Sequence, residues 1–145
     1  MYGVYILTAR TGEKYCASTV TWVSQASFNP PLLMVCIRKK STSFEVVNTS
    51  RSFVLHCLDI TQISFISDFF RSTLHQGDTL NGHPISTEES DLPTLTECPA
   101  YLICEVREIL YYGDHPVFVA EITDARVRWE YLPLELKSIG WSYGG

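Results

Sequence analysis

Ala17-Ser18-Thr19-Val20-Thr21-Trp22-Val23-Ser24-Gln25-Ala26-Ser27-Phe28-Asn29-Pro30-Pro31 is the stretch that decides how this chain folds. It places five hydroxyls and one amide between Ser18 and Phe28. An unpaired hydroxyl in an apolar core costs about 1–3 kcal/mol, so an ordinary buried strand fits poorly. Two readings remain. The stretch is an exposed strand with its polar side chains outward, or it lines a phosphate, which hydroxyls and backbone N–H groups bind together. Asn29-Pro30-Pro31 closes it, because two prolines remove two ladder donors.

Working outward, residues 2–9 are rich in β-branched and aromatic side chains and end at the Thr11-Gly12 turn. They predict a first strand, hairpinned to a second over Lys14–Val20. Downstream, 32–37 is a continuous apolar run, which predicts a strand buried on both faces. Lys39-Lys40-Ser41-Thr42 opens a short helix with Ser41 as N-cap and Phe44 and Val47 on one face; Arg51-Ser52 ends it. Residues 53–58 read as a strand. Ile63, Ile66, Phe69 and Phe70 predict a second helix over 62–74. Residues 77–99, rich in glycine and proline, read as a surface excursion. The longest strand patterns, 101–112 and 117–129, are joined by a short hairpin at Gly113-Asp114-His115-Pro116.

The sum is six or seven strands and two short helices. Tight turns imply antiparallel pairing, and a small antiparallel set closes into a barrel to remove its edges. The expected organisation is one domain over 1–131 and a tail over 132–145.

The 145 residues suit one domain, and 46% hydrophobic with 19% charged residues excludes intrinsic disorder. A net charge of −5 argues against a general nucleic-acid face. No apolar run nears the roughly 18–20 residues that span a bilayer, and the start lacks a basic n-region. A cytoplasmic protein is expected, with neither nucleic acid nor membrane as partner. Cys16, Cys36, Cys57, Cys98 and Cys104 are odd in number and show no C-x-x-C spacing. Free thiols are expected, and no metal site.

The opening stretch resembles the flavin reductase-like family, whose pattern runs G-x-T-x-S-[SW]-x-x-x-x-S-x-x-P-P. Thr19, Thr21 (for the serine), Trp22, Ser27, Pro30 and Pro31 match it, while Ala17 replaces the usual glycine. The run from Trp22 to Pro31 is similar to the flavin reductase domain of cyanobacterial diflavin flavoproteins and to flavoredoxins. The resemblance continues through Phe53-Val54-Leu55-His56-Cys57-Leu58 and Gly113-Asp114-His115. It implies a mainly β, Greek-key-like split β-barrel with two or three short helices, binding FMN rather than FAD near a homodimer interface.

Carried over by position, Ser18, Thr19, Val20 and Thr21 line the flavin edge and ribityl chain. Trp22 flanks the isoalloxazine. Gln25 and Ser27 sit by the phosphate or the pyrimidine edge. The run Arg38-Lys39-Lys40-Ser41-Thr42-Ser43 reads from its residues as a solvated loop or as an anion site beside a helix N-terminus. The resemblance implies the second, with Lys39, Ser41 and Thr42 on the FMN phosphate and Arg38 and Lys40 in reserve. Gly113-Asp114-His115 suffices as a turn, with Gly113 at positive φ; the resemblance implies that His115 faces the flavin and the nicotinamide as the catalytic candidate. Phe65, Phe69 and Phe70 read as core, and Trp141-Ser142-Tyr143 as cover for a partner subunit or a free tail. The implied function is an NAD(P)H-dependent flavin reductase. The alternative is an FMN electron-transfer module serving a redox partner protein. The lack of a G-x-G-x-x-G run does not separate them.

Overall fold

The structure is a computed structural model describing residues 2–141. The chain runs β1 (Tyr5–Thr11), β2 (Lys14–Val20), β3 (Val23–Ser27), β4 (Leu32–Cys36), α1 (Thr42–Ser50), β5 (Ser52–Cys57) and α2 (Ile63–Asp68). Four short strands follow: β6 (His75–Gln76), β7 (Thr79–Leu80), β8 (His83–Ser86) and β9 (Thr94–Leu95). Long strands β10 (Ala100–Leu110) and β11 (Val117–Val127) precede a 3-10 turn at Leu136–Ile139.

Seven strands form one antiparallel sheet in the order β2-β1-β5-β10-β11-β4-β3. Alternation puts Leu7 and Ala9 of β1, Leu33 and Val35 of β4, and Phe118 and Ala120 of β11 on its inner side. These residues share one buried cluster although β1 and β4 lie far apart in the sheet order, so the sheet curls around its own core. Val46 and Val47 of α1 plug one end of that cluster. The mainly β split barrel with short helices is therefore the observed architecture.

A second cluster covers the outer face of β1. Phe65, Ile66 and Phe69 from α2 and its end meet Leu80 and Leu95 of the small sheet β6-β7-β8-β9. Leu134 and Leu136 complete it, and backbone bridges tie Gly3 to Glu135 and Asp59 to Pro133. Residues up to 141 after β11 thus pack on their own chain. Ser142 and Tyr143 lie outside the described residues.

Four expectations need correction. The second helix spans Ile63–Asp68 only, because the Phe69 carbonyl accepts the Thr19 N–H (3.2 Å) and draws the chain alongside β2. Residues 77–99 contain strands too short to carry periodicity. The run at 32–37 is buried on one face only; Met34 is 39% exposed. Gly113 does not adopt a positive φ, unlike Gly12, Gly77, Gly82 and Gly140.

Candidate functional site

Three connections converge beside α1. Thr21 and Trp22 carry the chain from β2 to β3, and the Trp22 carbonyl accepts the Cys36 N–H (3.0 Å). Residues 37–41 join β4 to α1. The β10–β11 hairpin lies against them: Ile37 N–H donates to the Pro116 carbonyl (3.2 Å) and Lys39 N–H to the Asp114 carbonyl (2.9 Å). The Trp22 and His115 rings sit 4.7 Å apart. Segments far apart in sequence therefore meet at one end of the barrel.

A cleft of about 190 Å³ opens at this junction. Ser18, Thr19 and Val20 of β2 form one wall, Arg38, Ser41, Thr42 and Ser43 another, and residues 69–73 the third. The third wall is held along β2. Thr19 Oγ1 donates to the Ile66 carbonyl (3.0 Å), and Thr73 Oγ1 accepts the Ala17 N–H (3.0 Å). Ser18 and Ser43 share a hydroxyl–hydroxyl bond of 2.7 Å across the first two walls.

The α1 wall has the chemistry of an anion site. Ser41 caps the helix: its Oγ accepts the Phe44 N–H (3.1 Å) and its carbonyl the Glu45 N–H (3.2 Å). The Thr42 and Ser43 N–H groups remain without intrahelical partners, at the positive end of the helix dipole. Arg38, a cation, is a residue of the same wall. Nearby, a bond from His115 Nδ1 (2.8 Å) holds the Asp114 carboxyl below its usual range. Burial pushes the Cys36 thiol up, which keeps this member of the cleft wall protonated.

Of the residues singled out from sequence, Ser18, Thr19, Val20, Ser41 and Thr42 line the cleft together with Arg38. Thr21 is buried, and Trp22 stands half-exposed against His115. Gln25 and Ser27 lie on β3, and Lys39 is exposed at the junction; none of these borders the cleft. Phe69 is core as expected, but Phe70 is 45% exposed, and both reach the cleft wall. The sequence reading missed Ser43, Arg71, Ser72 and Thr73. Their signal was present, since Arg71-Ser72-Thr73 repeats the cation-then-hydroxyl pattern of the 38–43 run.

Comparison with known proteins bears on what such a cleft holds. The model of the flavin reductase like domain matches residues 1–137. Over 126 residues the chain is 34% identical to diflavin flavoprotein A 1 of Synechocystis, covering 86% of this chain and 22% of that protein. It is 28% identical to the high molecular weight rubredoxin of Moorella thermoacetica, covering 92% of this chain and 59% of that one. The chain thus spans about a fifth of the first relative and over half of the second. Among solved structures, the NADH:FAD oxidoreductase of Streptomyces globisporus, in complex with NAD and FAD fragments, superposes with a TM-score of 0.78. At 23% identity, covering 91% of this chain and 78% of that one, it shows a shared fold.

Proposed function

The chain belongs to the flavin reductase-like family, and from that premise we propose that it is an FMN-binding, NAD(P)H-dependent flavin reductase acting as a homodimer. The observation that carries the reading is the cleft beside α1, where a cation, a helix N-terminus and several hydroxyls meet. These residues fit a phosphate ester. Two first-turn N–H groups and Arg38 supply charge-assisted donors, and Ser18, Thr42 and Ser43 supply hydroxyls.

FMN bound there supplies the redox chemistry, taking a hydride from a nicotinamide nucleotide, which no side chain can do. This chain's residues bind and orient. Arg38 and the start of α1 hold the phosphate; Ser18 and Val20 border the ribityl path. Trp22 offers an aromatic wall for a planar ring. His115, whose ring is held by Asp114, would position the nicotinamide carboxamide.

The dimer rests on an open apolar face. Met34 on the outer side of β4 and Phe28 in the β3–β4 turn, 88% exposed, leave it uncovered, and Cys36 of the same strand face also lines the cleft. A second copy covering this face adjoins the cleft. No helix among the described residues is long and apolar enough to cross a membrane. Free thiols suit the reducing cytoplasm, where we place the protein. The electron-transfer module remains the second reading, favoured by the relatives in which a matching segment is one part of a longer protein.

Titration of the flavin-free protein with FMN and with riboflavin tests the assignment. FMN should bind at least roughly tenfold tighter, the worth of a charge-assisted phosphate contact. Equal affinities would remove the phosphate site. The same sample should scatter light as about twice the 16.5 kDa chain, and a single-chain mass would remove the dimer.

A further inference from the structure

His83, on β8, is not among the residues so far given a role. Both of its ring nitrogens face carboxylates. Nε2 lies 2.9 Å from Asp68 Oδ2 and Nδ1 lies 3.0 Å from Glu97 Oε1. The ring packs on Phe65 and Phe69, with centroids 4.2 and 5.2 Å away. Its side chain is only 16% exposed. A neutral imidazole carries one N–H and one lone pair, so one carboxylate would then face a lone pair. The doubly protonated ring donates to both.

The two carboxylates belong to parts that frame the third cleft wall. Asp68 is the last residue of α2, and Phe69 directly after it accepts the Thr19 N–H and borders the cleft. Glu97 is anchored through its carbonyl, which accepts a bond from Gln62 Nε2 just before α2 (2.8 Å). Asn81 Nδ2 donates to the Asp68 carbonyl (2.9 Å). Among the described residues Arg71 also faces the clamp, 3.6 Å from Asp68 Oδ1. Arg128, from the other side, donates to the Leu95 and Cys98 carbonyls.

We propose that His83 is a positioning residue for the flavin cleft: its ring, clamped between Asp68 and Glu97, holds the wall at 69–73 against β2. The proposal rests on the flavin reading of that cleft. The clamp needs a proton on both ring nitrogens, because a ring that has lost one donates to one carboxylate only. Flavin affinity follows it.

The test compares wild type with His83→Gln and, as a second variant, Asp68→Asn, which keeps an acceptor but drops the charge. FMN dissociation constants are measured at several pH values, and the variant-to-wild-type ratio is the readout. Phosphate ionisation acts on both proteins and cancels. The ratio should be about fivefold at the acid end, the worth of a partly exposed ion pair, and fall as the pH rises. A ratio independent of pH overturns the proposal, because a merely structural residue gives that result. Amide exchange in the flavin-free chain reads the clamp separately. Protection of the Thr19 and Phe69 amides should fall in both variants in mild acid and match wild type in base. Unchanged protection overturns the clamp even if FMN fails to bind; a pH-dependent loss without FMN binding keeps the clamp and removes the flavin reading.

Discussion

Arg38 and Lys39 are neighbours in sequence, yet only Arg38 borders the cleft. The Lys39 backbone is committed to the hairpin through Asp114, which turns the chain between the two cations. Family resemblance favours Lys39 as the phosphate ligand, whereas the geometry favours Arg38. Arg38→Ala should weaken FMN binding about tenfold, a charge-assisted bond discounted for exposure, and leave riboflavin nearly unchanged. Lys39→Ala should change neither by more than about twofold. A larger loss at Lys39 in calorimetric titration would move the phosphate toward the hairpin. At this scale Ser18, Thr19, Val20, Ser41 and Thr42 were named through the family resemblance and do line the cleft, whereas their residues alone fitted an exposed strand and a solvated loop as well. Arg71 went unread although Arg71-Ser72-Thr73 repeats the cation-then-hydroxyl pattern of the 38–43 run, because only the fold brings it back along β2.

The elements are tied together by a different histidine. His56 of β5 is fully buried; its Nδ1–H donates to the Ile6 carbonyl of β1 (3.0 Å), and its Nε2 accepts the Leu95 N–H of β9 (2.9 Å). One ring thus fastens the small sheet to the large one. Burial pushes its pKa from 6.5 down to about 3, with the nearby Arg128 acting in the same direction and the Ile6 bond opposing. The folded ring stays neutral where the unfolded one takes a proton. The unfolded state therefore binds more protons below about pH 6.5, and stability falls as pH drops through that window toward about 3. The slope from this group alone approaches about 1.4 kcal/mol per pH unit. His56→Gln should flatten the pH dependence of the urea midpoint between about pH 6.5 and 5. Parallel curves would show that His56 titrates alike in both states. The sequence revealed the strand that carries His56 but not its partner, because β9 has two residues and no period to read. The overlong second helix arose likewise: apolar spacing continued past Asp68 where pairing with β2 had already taken over.

For the whole molecule, the barrel was legible because every long strand carries its own turn signal and the order of motifs is specific. The small sheet and the one-sided burial of β4 were not, since both depend on what packs across from them. The exposed side of β4 and the cleft adjoin at Cys36, so the proposed dimer contact and the proposed flavin site would share one region of the surface. Trp22 and His115, in ring contact at the same end of the barrel, are where the proposed reductase would bring its two nucleotides together. The decisive measurement is anaerobic stopped-flow mixing of the FMN-loaded protein with NADH and with NADPH. A flavin reductase should lose its oxidised-flavin absorbance with at least one of the two nucleotides. If FMN stays oxidised with both while dithionite reduces it fully, the reductase function is contradicted and the electron-transfer module takes its place.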